Sequence, residues 1–230
     1  MTAFPGSADC SPSTLAVTRD GLHRVAEHVL AAALHTATGE IGLVPAPGGF
    51  RTPPFGPDGR FLAVDGAVLV VGDADVTRRT VLTTLRAVAE FAGVTPGAPA
   101  QVYQPATPLD LDEPLMIDPR AARLLAEWYQ LGAQALSQLA AEVPGDRPSA
   151  AVLWPEHFDI GVATDEINLG VSLGDRWLDE PYVYVAPWKP RSGTFWSAPF
   201  GAAAPVRERN TVEALVAFLT EGLDRARRGR

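Results

Sequence analysis

The stretch AVLWPEHFDIGVATDEINLGVSL, residues 151–173, decides the fold prediction, because it holds two β-type segments separated by a short polar turn. Strands joined by tight turns, without a crossover helix, pair in antiparallel fashion. If residues 151–163 formed one continuous strand, alternate side chains would lie on opposite faces. His157 and Asp159 would share one face, and the opposite face would carry Val152, Trp154, Glu156, Phe158 and Ile160.

Glu156 is the one carboxylate on the otherwise apolar face of that predicted strand. A desolvated carboxyl group has a raised pKa and would suit a general acid. A pair with Arg51 or Arg176 would neutralise the charge instead. A bulge at Pro155 would turn the side chain towards solvent, because proline fits poorly into a regular strand. The sequence favours the arginine pair or the bulge, and both make this region irregular.

Hydrophobic spacing elsewhere predicts an α+β protein with one or two antiparallel sheets and about four main helices. The helices are predicted from Asp20 to Thr38, Val76 to Ala92, Asp118 to Glu142, and Asn210 to the basic tail. Further strands are predicted at Glu40–Val44, Phe61–Asp65, Ala67–Val71, Gln101–Gln104, Tyr182–Ala186 and Thr194–Ser197. The proline- and glycine-rich residues 45–59 predict a long surface loop.

The element order helix–strands–helix occurs twice along the chain, which indicates a pseudo-duplicated arrangement. We predict a single domain over residues 1–230, with candidate halves at 16–105 and 118–228 and a loose lead-in at 1–15. The segment PATPLDLDEPLMIDP, residues 105–119, predicts an acidic, proline-broken linker between these halves.

The acidic composition restricts the partners. A formal net charge of −8 repels nucleic acid and anionic membranes, so neither is predicted as a partner. No apolar run approaches the roughly 18 residues of a membrane span, and the N-terminus lacks the basic and apolar regions of a signal peptide. Cys10 is the sole cysteine, which fits a reducing compartment, and a cytoplasmic location is predicted. The sequence does not set the oligomeric state.

The four histidines of the chain form no metal-binding motif. There is no H-E-x-x-H sequence, no cysteine cluster and no glycine-rich phosphate loop, so neither a metal nor a cofactor is predicted. His23 and Glu27 lie four residues apart on a predicted helix, and this spacing most often indicates a solvent-facing pair. Ser172 is predicted on a solvated strand face beside Asn168.

His157 and Asp159 are the candidate catalytic residues, because they lie two apart on one predicted strand face. A carboxylate beside an imidazole fixes the imidazole tautomer and raises its basicity, so the pair would act as a general base. The alternative is a surface histidine and aspartate on the wet face of a sheet.

Aromatic residues of EPYVYVAPWKPRSGTFW, residues 180–196, are candidate walls of a ligand pocket. Tyr182 and Tyr184 share one strand face, with Val183 and Val185 on the other, and Trp188 lies nearby. Aromatic side chains with polar tips suit a small organic ligand. The alternative is core packing between sheet and helix.

The segments LWPEHFDIGV, NLGVSLGD and EPYVYVAPW resemble an uncharacterised bacterial protein family that carries W-P-E-H-F-D, then G-x-S-x-G-D, then P-Y-x-Y-V-x-P-W. The likeness covers most of the chain, including GGFRTPPF and PATPLDLDEPL. More distantly, the chain is similar to a larger bacterial domain family of unknown function. The frame shared with that wider family is Trp154, Phe158, Asp159, Tyr182 and Tyr184. The resemblance implies one coherent unit and brings no activity, substrate or cofactor.

Together these features predict a pocket for a small organic molecule where the WPEHFD strand meets the Y-V-Y strand and the GGFRTPPF loop. Arg51 is the candidate anion contact, and the other predicted ligand contacts are Glu156, Tyr182, Tyr184 and Trp188. One alternative is a metal-independent enzyme with His157 as general base, oriented by Asp159. The other is a protein-interaction module whose exposed aromatic residues form the interface.

Overall fold

The structure, a computed structural model, describes residues 10–142, 148–205 and 207–228. Two five-stranded antiparallel sheets and their flanking helices confirm the α+β prediction. The helices are α1 (Pro12–Val25), α2 (Ala32–Thr38), α3 (Leu85–Ala92), α4 (Pro119–Glu142) and α5 (Val212–Arg228). A π-helical segment, Ala26–Ala31, joins α1 to α2 without a break, so that these three segments form the first of the four main helices.

The first helix begins earlier than predicted. Ser11 is its N-cap and accepts a hydrogen bond from the Thr14 amide, at 3.1 Å, while Pro12 occupies the first helical turn. The predicted start at Asp20 is therefore wrong, because Ser11-Pro12 is the same kind of cap-and-proline signal that starts α4 at Asp118. The helix ends at Gly39 in a left-handed conformation, as predicted. Residues 1–9 of the predicted lead-in lie outside the described residues.

The first sheet is an antiparallel meander in which each strand pairs with the next. Its strands are β1 (Val44–Ala46), β2 (Gly49–Arg51), β3 (Phe61–Asp65), β4 (Val68–Gly72) and β5 (Thr77–Val81). The prediction of one long loop over residues 45–59 is partly wrong, because a β1–β2 hairpin forms there. Glycine at position 49 also lets β2 lie close to β3, because a Cβ atom there would lie 2.6 Å from the carbonyl oxygen of Val64.

Two other predictions around this sheet are corrected. Residues 76–92 do not form one helix, because Thr77–Val81 pairs with β4 and Thr84 then caps α3 through the Ala87 amide. This β-branched and arginine-containing segment suits an edge strand better than a helix. No strand forms at Gln101–Gln104, which lies in an irregular segment.

The second sheet repeats the meander of the first, with strand order β10-β9-β8-β7-β6. Its strands are β6 (Val152–Trp154), β7 (Asp159–Thr164), β8 (Ile167–Ser172), β9 (Tyr182–Pro187) and β10 (Ala202–Pro205). The last strand lies beyond the predicted Thr194–Ser197. Within the described residues, each sheet of five strands has a helix before it and a helix after it, which confirms the predicted twofold order of elements.

The chain divides into two compact units. One contains Cys10–Glu127 and Leu153–Phe158, and the other contains Trp128–Val152 and Asp159–Arg230. The division falls within α4, and not in the acidic segment between the predicted halves. Packing explains this boundary, because the Trp128 indole donates to the Ser172 carbonyl at 2.8 Å and so belongs with the second sheet. We call the two units the N-terminal unit and the C-terminal unit.

Glycines let two helices lie close to one face of the second sheet. A Cβ atom at Gly132 of α4 would lie 2.2 Å from Val171, and one at Gly222 of α5 would lie 2.5 Å from Val185. These helices therefore cover the valine-bearing face, and the tyrosines of β9 project from the other face. None of the described helices combines the length and the apolar character needed to cross a membrane.

Candidate functional site

The WPEHF segment forms a turn and not a strand. The strand β6 ends at Trp154, whose carbonyl oxygen accepts hydrogen bonds from the amides of His157, at 3.3 Å, and Phe158, at 2.8 Å. Proline has no amide hydrogen and a fixed φ, so Pro155 ends the strand. The continuous strand predicted over residues 151–163, and with it the alternation of faces from Glu156 to Asp159, is therefore wrong.

Aromatic packing holds this turn in a strained conformation. Phe158 has a φ of 51°, in the left-handed region that residues other than glycine rarely adopt. Its ring stacks on the imidazole of His23, with centroids 4.8 Å apart, and Phe50 contacts it edge-on. The imidazole Nε2 of His23 also lies 2.7 Å from the carbonyl oxygen of Pro155. Backbone strain of this kind is retained where the surrounding structure enforces it, often at functional sites.

The π-helical segment presents a buried carboxylate to the same region. Glu27 is 0 % exposed and accepts three hydrogen bonds, from the amides of Ala106 and Thr107 and from the Thr107 hydroxyl. His28 accepts a hydrogen bond from the Ala98 amide at 3.0 Å. These contacts anchor the long irregular segment between α3 and α4. Single π-helical turns are rare and are frequent at functional sites.

Glu27 is fully buried and His23 is largely buried, so the prediction of a solvent-facing pair is wrong. Their Nε2 and Oε2 atoms lie 3.8 Å apart, and the His23 side chain is 14 % exposed. Burial lowers the pKa of His23 below its usual value, although the negative charge of Glu27 acts in the opposite direction. Burial also lowers the pKa of His28. The neutral form of both imidazoles is therefore favoured.

Two polar atoms beside this pair lack hydrogen-bond partners. Among the residues that the structure describes, neither the buried Tyr103 hydroxyl nor the buried Oε2 atom of Glu156 has one. Burial raises the pKa of Tyr103 well above its usual value, and the charges of Glu27 and Glu156 raise it further. The irregular segment that carries Tyr103 also donates the Ala106 and Thr107 amides to Glu27. We call His23, Glu27, Tyr103 and Glu156 the turn cluster.

The C-terminal unit holds a second set of tyrosines and carboxylates, which is fully hydrogen-bonded at the tyrosines. The Tyr184 hydroxyl donates to Asp159 at 2.5 Å, and the Tyr182 hydroxyl donates to Asp175 at 2.7 Å. Burial and the charge of Asp159 raise the pKa of Tyr184. We call these four residues the sheet cluster. The predicted sharing of a strand face by Tyr182 and Tyr184 is confirmed by the β8–β9 register.

Glycines on neighbouring strands make room for Tyr184. The register aligns Tyr184 with Gly170, and Gly170 with Gly161. A Cβ atom at Gly170 would lie 2.6 Å from the Tyr184 hydroxyl oxygen, and one at Gly161 would lie 3.0 Å from it. The ring thus lies across both glycines, and its hydroxyl reaches Asp159. This arrangement is a packing solution within the sheet.

The remaining predicted site residues lie in different surroundings. His157 is exposed in the WPEHF turn, and Asp159 is buried on β7, where it binds Tyr184. Arg51 is half-buried on β2. Trp188 is 64 % exposed, and its indole donates to the Asn168 side chain at 3.2 Å. The predicted catalytic role of His157 and Asp159 stays a prediction.

Ser172 is 2 % exposed, so the prediction of a solvated position is wrong. The segment GVSLG, residues 170–174, has the spacing of a serine-nucleophile motif. Ser172 ends strand β8, and its hydroxyl oxygen accepts a hydrogen bond from the Gly174 amide. The strand does not lead into a helix, so the nucleophile-elbow geometry is not formed here.

A groove of about 390 Å³ lies elsewhere in the N-terminal unit, between β4, β5 and the end of α3. Two guanidinium groups line it. The Arg78 guanidinium lies over the Phe91 ring at 5.0 Å, and Arg60 donates to the Ala92 carbonyl. Asp58, Asp73 and Glu90 also line the groove, so it presents both signs of charge.

In the described ranges, no group of three or more histidine, cysteine, aspartate or glutamate side chains could hold a metal ion.

Sequence reasoning missed His23, Glu27 and Tyr103 as site residues. A signal for one of them was present, because Glu27, together with His28, interrupts the apolar run between Val25 and Leu30. No sequence signal marks Tyr103, because the irregular segment brings it to the helix by contacts remote in sequence.

No family model, curated protein or solved structure matches the chain.

Proposed function

We propose that the chain binds a small organic molecule at the turn cluster. The observation that carries the proposal is the pair of buried polar atoms, Tyr103 Oη and Glu156 Oε2, without partners among the described residues. A buried polar group that lacks a partner costs roughly 1–3 kcal/mol, and more when it is charged. A ligand that bonds to both atoms would remove this cost.

Two backbone features support the same location. Phe158 holds a left-handed conformation within the WPEHF turn, and such strain clusters at ligand-binding sites. The irregular segment that carries Tyr103 runs from the end of α3 at Ala92 to the start of α4 at Pro119. Structureless connections of more than about 12–15 residues are uncommon in compact domains and are often functional.

The proposal keeps the WPEHFD part of the pocket predicted from the sequence and changes its other wall. Tyr182 and Tyr184 already donate their hydroxyl hydrogens to carboxylates. Their hydroxyl groups are therefore less available for a hydrogen bond to a ligand than that of Tyr103. The enzyme and the interaction module stay predictions, as do the family resemblance, the cytoplasmic location and the absence of a nucleic-acid partner.

A thermal-shift screen against a metabolite library tests the proposal. At least one compound is expected to raise the melting temperature of the wild-type protein, because a ligand that binds only the folded state stabilises it. The shift should vanish in Glu156→Gln and Tyr103→Phe and persist in the exposed control Glu40→Gln. A library that shifts nothing, or shifts that survive both cluster variants, would contradict the proposal.

A further inference from the structure

We propose that strand β5 is a docking edge for an extended peptide segment with an acidic centre, which adds to the first sheet as a sixth strand. Two features of β5 support this docking: open backbone hydrogen-bonding groups along the strand, and two adjacent arginines near its centre. The surface includes none of the residues of the turn cluster, so it is independent of the proposed function.

One long side of β5 has no neighbouring strand. The strand is the last in the order β1-β2-β3-β4-β5. Just before it, the Asp73 amide donates to the Val76 carbonyl at 3.1 Å. Just after it, the Leu82 amide donates to the Ala67 carbonyl at 3.0 Å. In an antiparallel ladder, pairs that exchange hydrogen bonds alternate with pairs that do not. These two bonds therefore fix which residues of β5 face β4.

Three residues of β5 direct their backbone groups away from β4, namely Thr77, Arg79 and Val81. Outside the β4–β5 ladder, these three residues form no backbone hydrogen bond with any other described residue. All three are exposed. Their N–H and C=O groups can therefore pair with an added strand, as in peptide recognition by β-strand addition.

Two other terminal strands are covered or interrupted. Next to β1, Leu43 exchanges two backbone hydrogen bonds with Leu153, at 2.9 and 2.8 Å. In the second sheet, the terminal strand β10 ends at Pro205, which has no amide hydrogen. The described strand β5 contains no proline, and its register with β4 runs without a bulge. It is therefore better suited than β1 or β10 to accept another strand.

The arginines of β5 select the charge of the added strand. Arg78 and Arg79 are exposed, and the strand carries no carboxylate. Arg79 forms an ion pair with Asp65. Among the described residues Arg78 forms no ion pair, and its guanidinium lies over the Phe91 ring. Opposite charges that face each other across neighbouring strands are stabilising, so acidic residues are favoured opposite the two arginines.

The surroundings confine the acidic residues to the centre of the peptide. Asp73 and Asp75 precede the strand and are exposed, so they disfavour further carboxylates at that end. Val76 and Val81 flank the arginines and are 57 % and 60 % exposed, which suits apolar residues at both ends of the peptide. A second copy of the chain is disfavoured, because pairing two β5 strands symmetrically about Arg79 places like charges opposite each other.

Fluorescence anisotropy with labelled hexapeptides tests the backbone pairing and the charge, at pH 7 in 0.15 M KCl. The probe is Val-Thr-Glu-Glu-Thr-Val with blocked termini, and the matched peptides carry Gln-Gln or Lys-Lys at the centre. The acidic peptide is expected to bind roughly tenfold more tightly than the glutamine peptide and more tightly still than the lysine peptide. A fully N-methylated form of the acidic peptide is expected not to bind, because it has no backbone donors.

Variants show whether the peptide binds at β5. Arg79→Pro removes the outward N–H group and spares the ladder with β4, so it should abolish binding. Arg79→Ala keeps that N–H group and should weaken binding by a smaller factor. Arg78→Glu should weaken binding of the acidic peptide and strengthen binding of the lysine peptide. The exposed Arg123→Glu and the turn-cluster change Glu156→Gln should leave both affinities unchanged.

Four results would overturn the inference. The first is that none of the peptides binds at millimolar concentration, and the second is that the N-methylated peptide binds as tightly as its parent. The third is an equal loss in Arg78→Glu and Arg123→Glu, which would show attraction by surface charge alone. The fourth is a wild-type dimer in sedimentation velocity that Arg79→Pro converts to a monomer, which would assign this edge to a second copy.

Circular dichroism checks that Arg79→Pro is folded. If this variant is unfolded, Arg78→Glu decides the outcome: a changed preference between the acidic and lysine peptides supports docking at β5, and an unchanged preference contradicts it. The metabolite screen tests the turn cluster separately, so either proposal can fail without the other.

Discussion

The turn cluster and the sheet cluster both combine tyrosine with carboxylate side chains, and they differ in whether the tyrosine hydroxyls are hydrogen-bonded. In the sheet cluster the Tyr184 hydroxyl donates to Asp159 at 2.5 Å. In the turn cluster the buried Tyr103 hydroxyl has no hydrogen-bond partner among the described residues. We therefore base the proposed binding site on the unsatisfied hydroxyl of Tyr103 and not on residue type.

The two clusters also differ in the regularity of the backbone that carries them. The sheet cluster is built on regular paired strands, and the register of β7, β8 and β9 fixes each side chain. The turn cluster is built on a π-helical segment, a left-handed Phe158 and a long irregular segment. Regular elements place side chains with little strain, and irregular ones bring together residues that are distant in sequence.

The largest expected effect on stability is that of Glu27→Ala. The change leaves the Ala106 and Thr107 donors without their common acceptor in a buried site. We expect a loss of about 3–5 kcal/mol in the free energy of unfolding, as for breaking a buried charged network. Urea denaturation followed by tryptophan fluorescence measures it, with the exposed Glu40→Ala as control. A loss below about 1 kcal/mol would show that Glu27 does not anchor the irregular segment.

Tyr184→Phe should have the next largest effect, because it removes the donor that Asp159 binds and keeps the ring across the two glycines. A hydrogen bond to a charged group contributes about 1.5–3 kcal/mol, and a loss of that size in urea denaturation is expected. An unchanged free energy of unfolding would show that the Tyr184 hydrogen bond does not stabilise the sheet cluster, and would remove the contrast with the turn cluster.

Acidification should destabilise the N-terminal unit through His23 and His28. Burial lowers both pKa values in the folded state, so the unfolded chain binds more protons as the pH falls below the usual histidine value of about 6.5. The stability from these groups is present at neutral pH and is lost as the pH falls. Urea midpoints between pH 7.5 and 5.5 measure the slope, which His23→Phe should reduce. The exposed His157→Gln should not reduce it, and equal slopes in all three proteins would count against a buried neutral His23.

Tyr103→Phe should have the smallest effect and the opposite sign. It removes a buried hydroxyl that has no partner, so the ligand-free protein should keep its stability or gain up to about 1 kcal/mol. Tyr184→Phe is the matched change, measured under the same conditions. A loss above about 1 kcal/mol would reveal a hydrogen bond to Tyr103 in the free protein.

The sequence was sufficient for the fold class and insufficient for several element boundaries and for the site. Asp65-Gly66 and Asp118-Pro119 are local signals, and both elements form where predicted. The WPEHF turn was misassigned as a strand because its apolar residues alternate by coincidence, although Pro155 pointed to an interruption. The turn cluster joins α1, the π-helical segment, the irregular segment and this turn, and only long-range packing brings these elements together.

The most direct test of the account is the stability of Glu156→Gln without ligand. Glutamine fills the same space and replaces the carboxyl group, whose buried Oε2 atom has no hydrogen-bond partner among the described residues, with a neutral amide. The account expects the free energy of unfolding at pH 7 to stay equal or to rise, while the ligand-induced shift in melting temperature is lost. A destabilisation above about 1 kcal/mol would mean that Glu156 already has a partner in the folded chain, and would contradict the claim that it awaits a ligand.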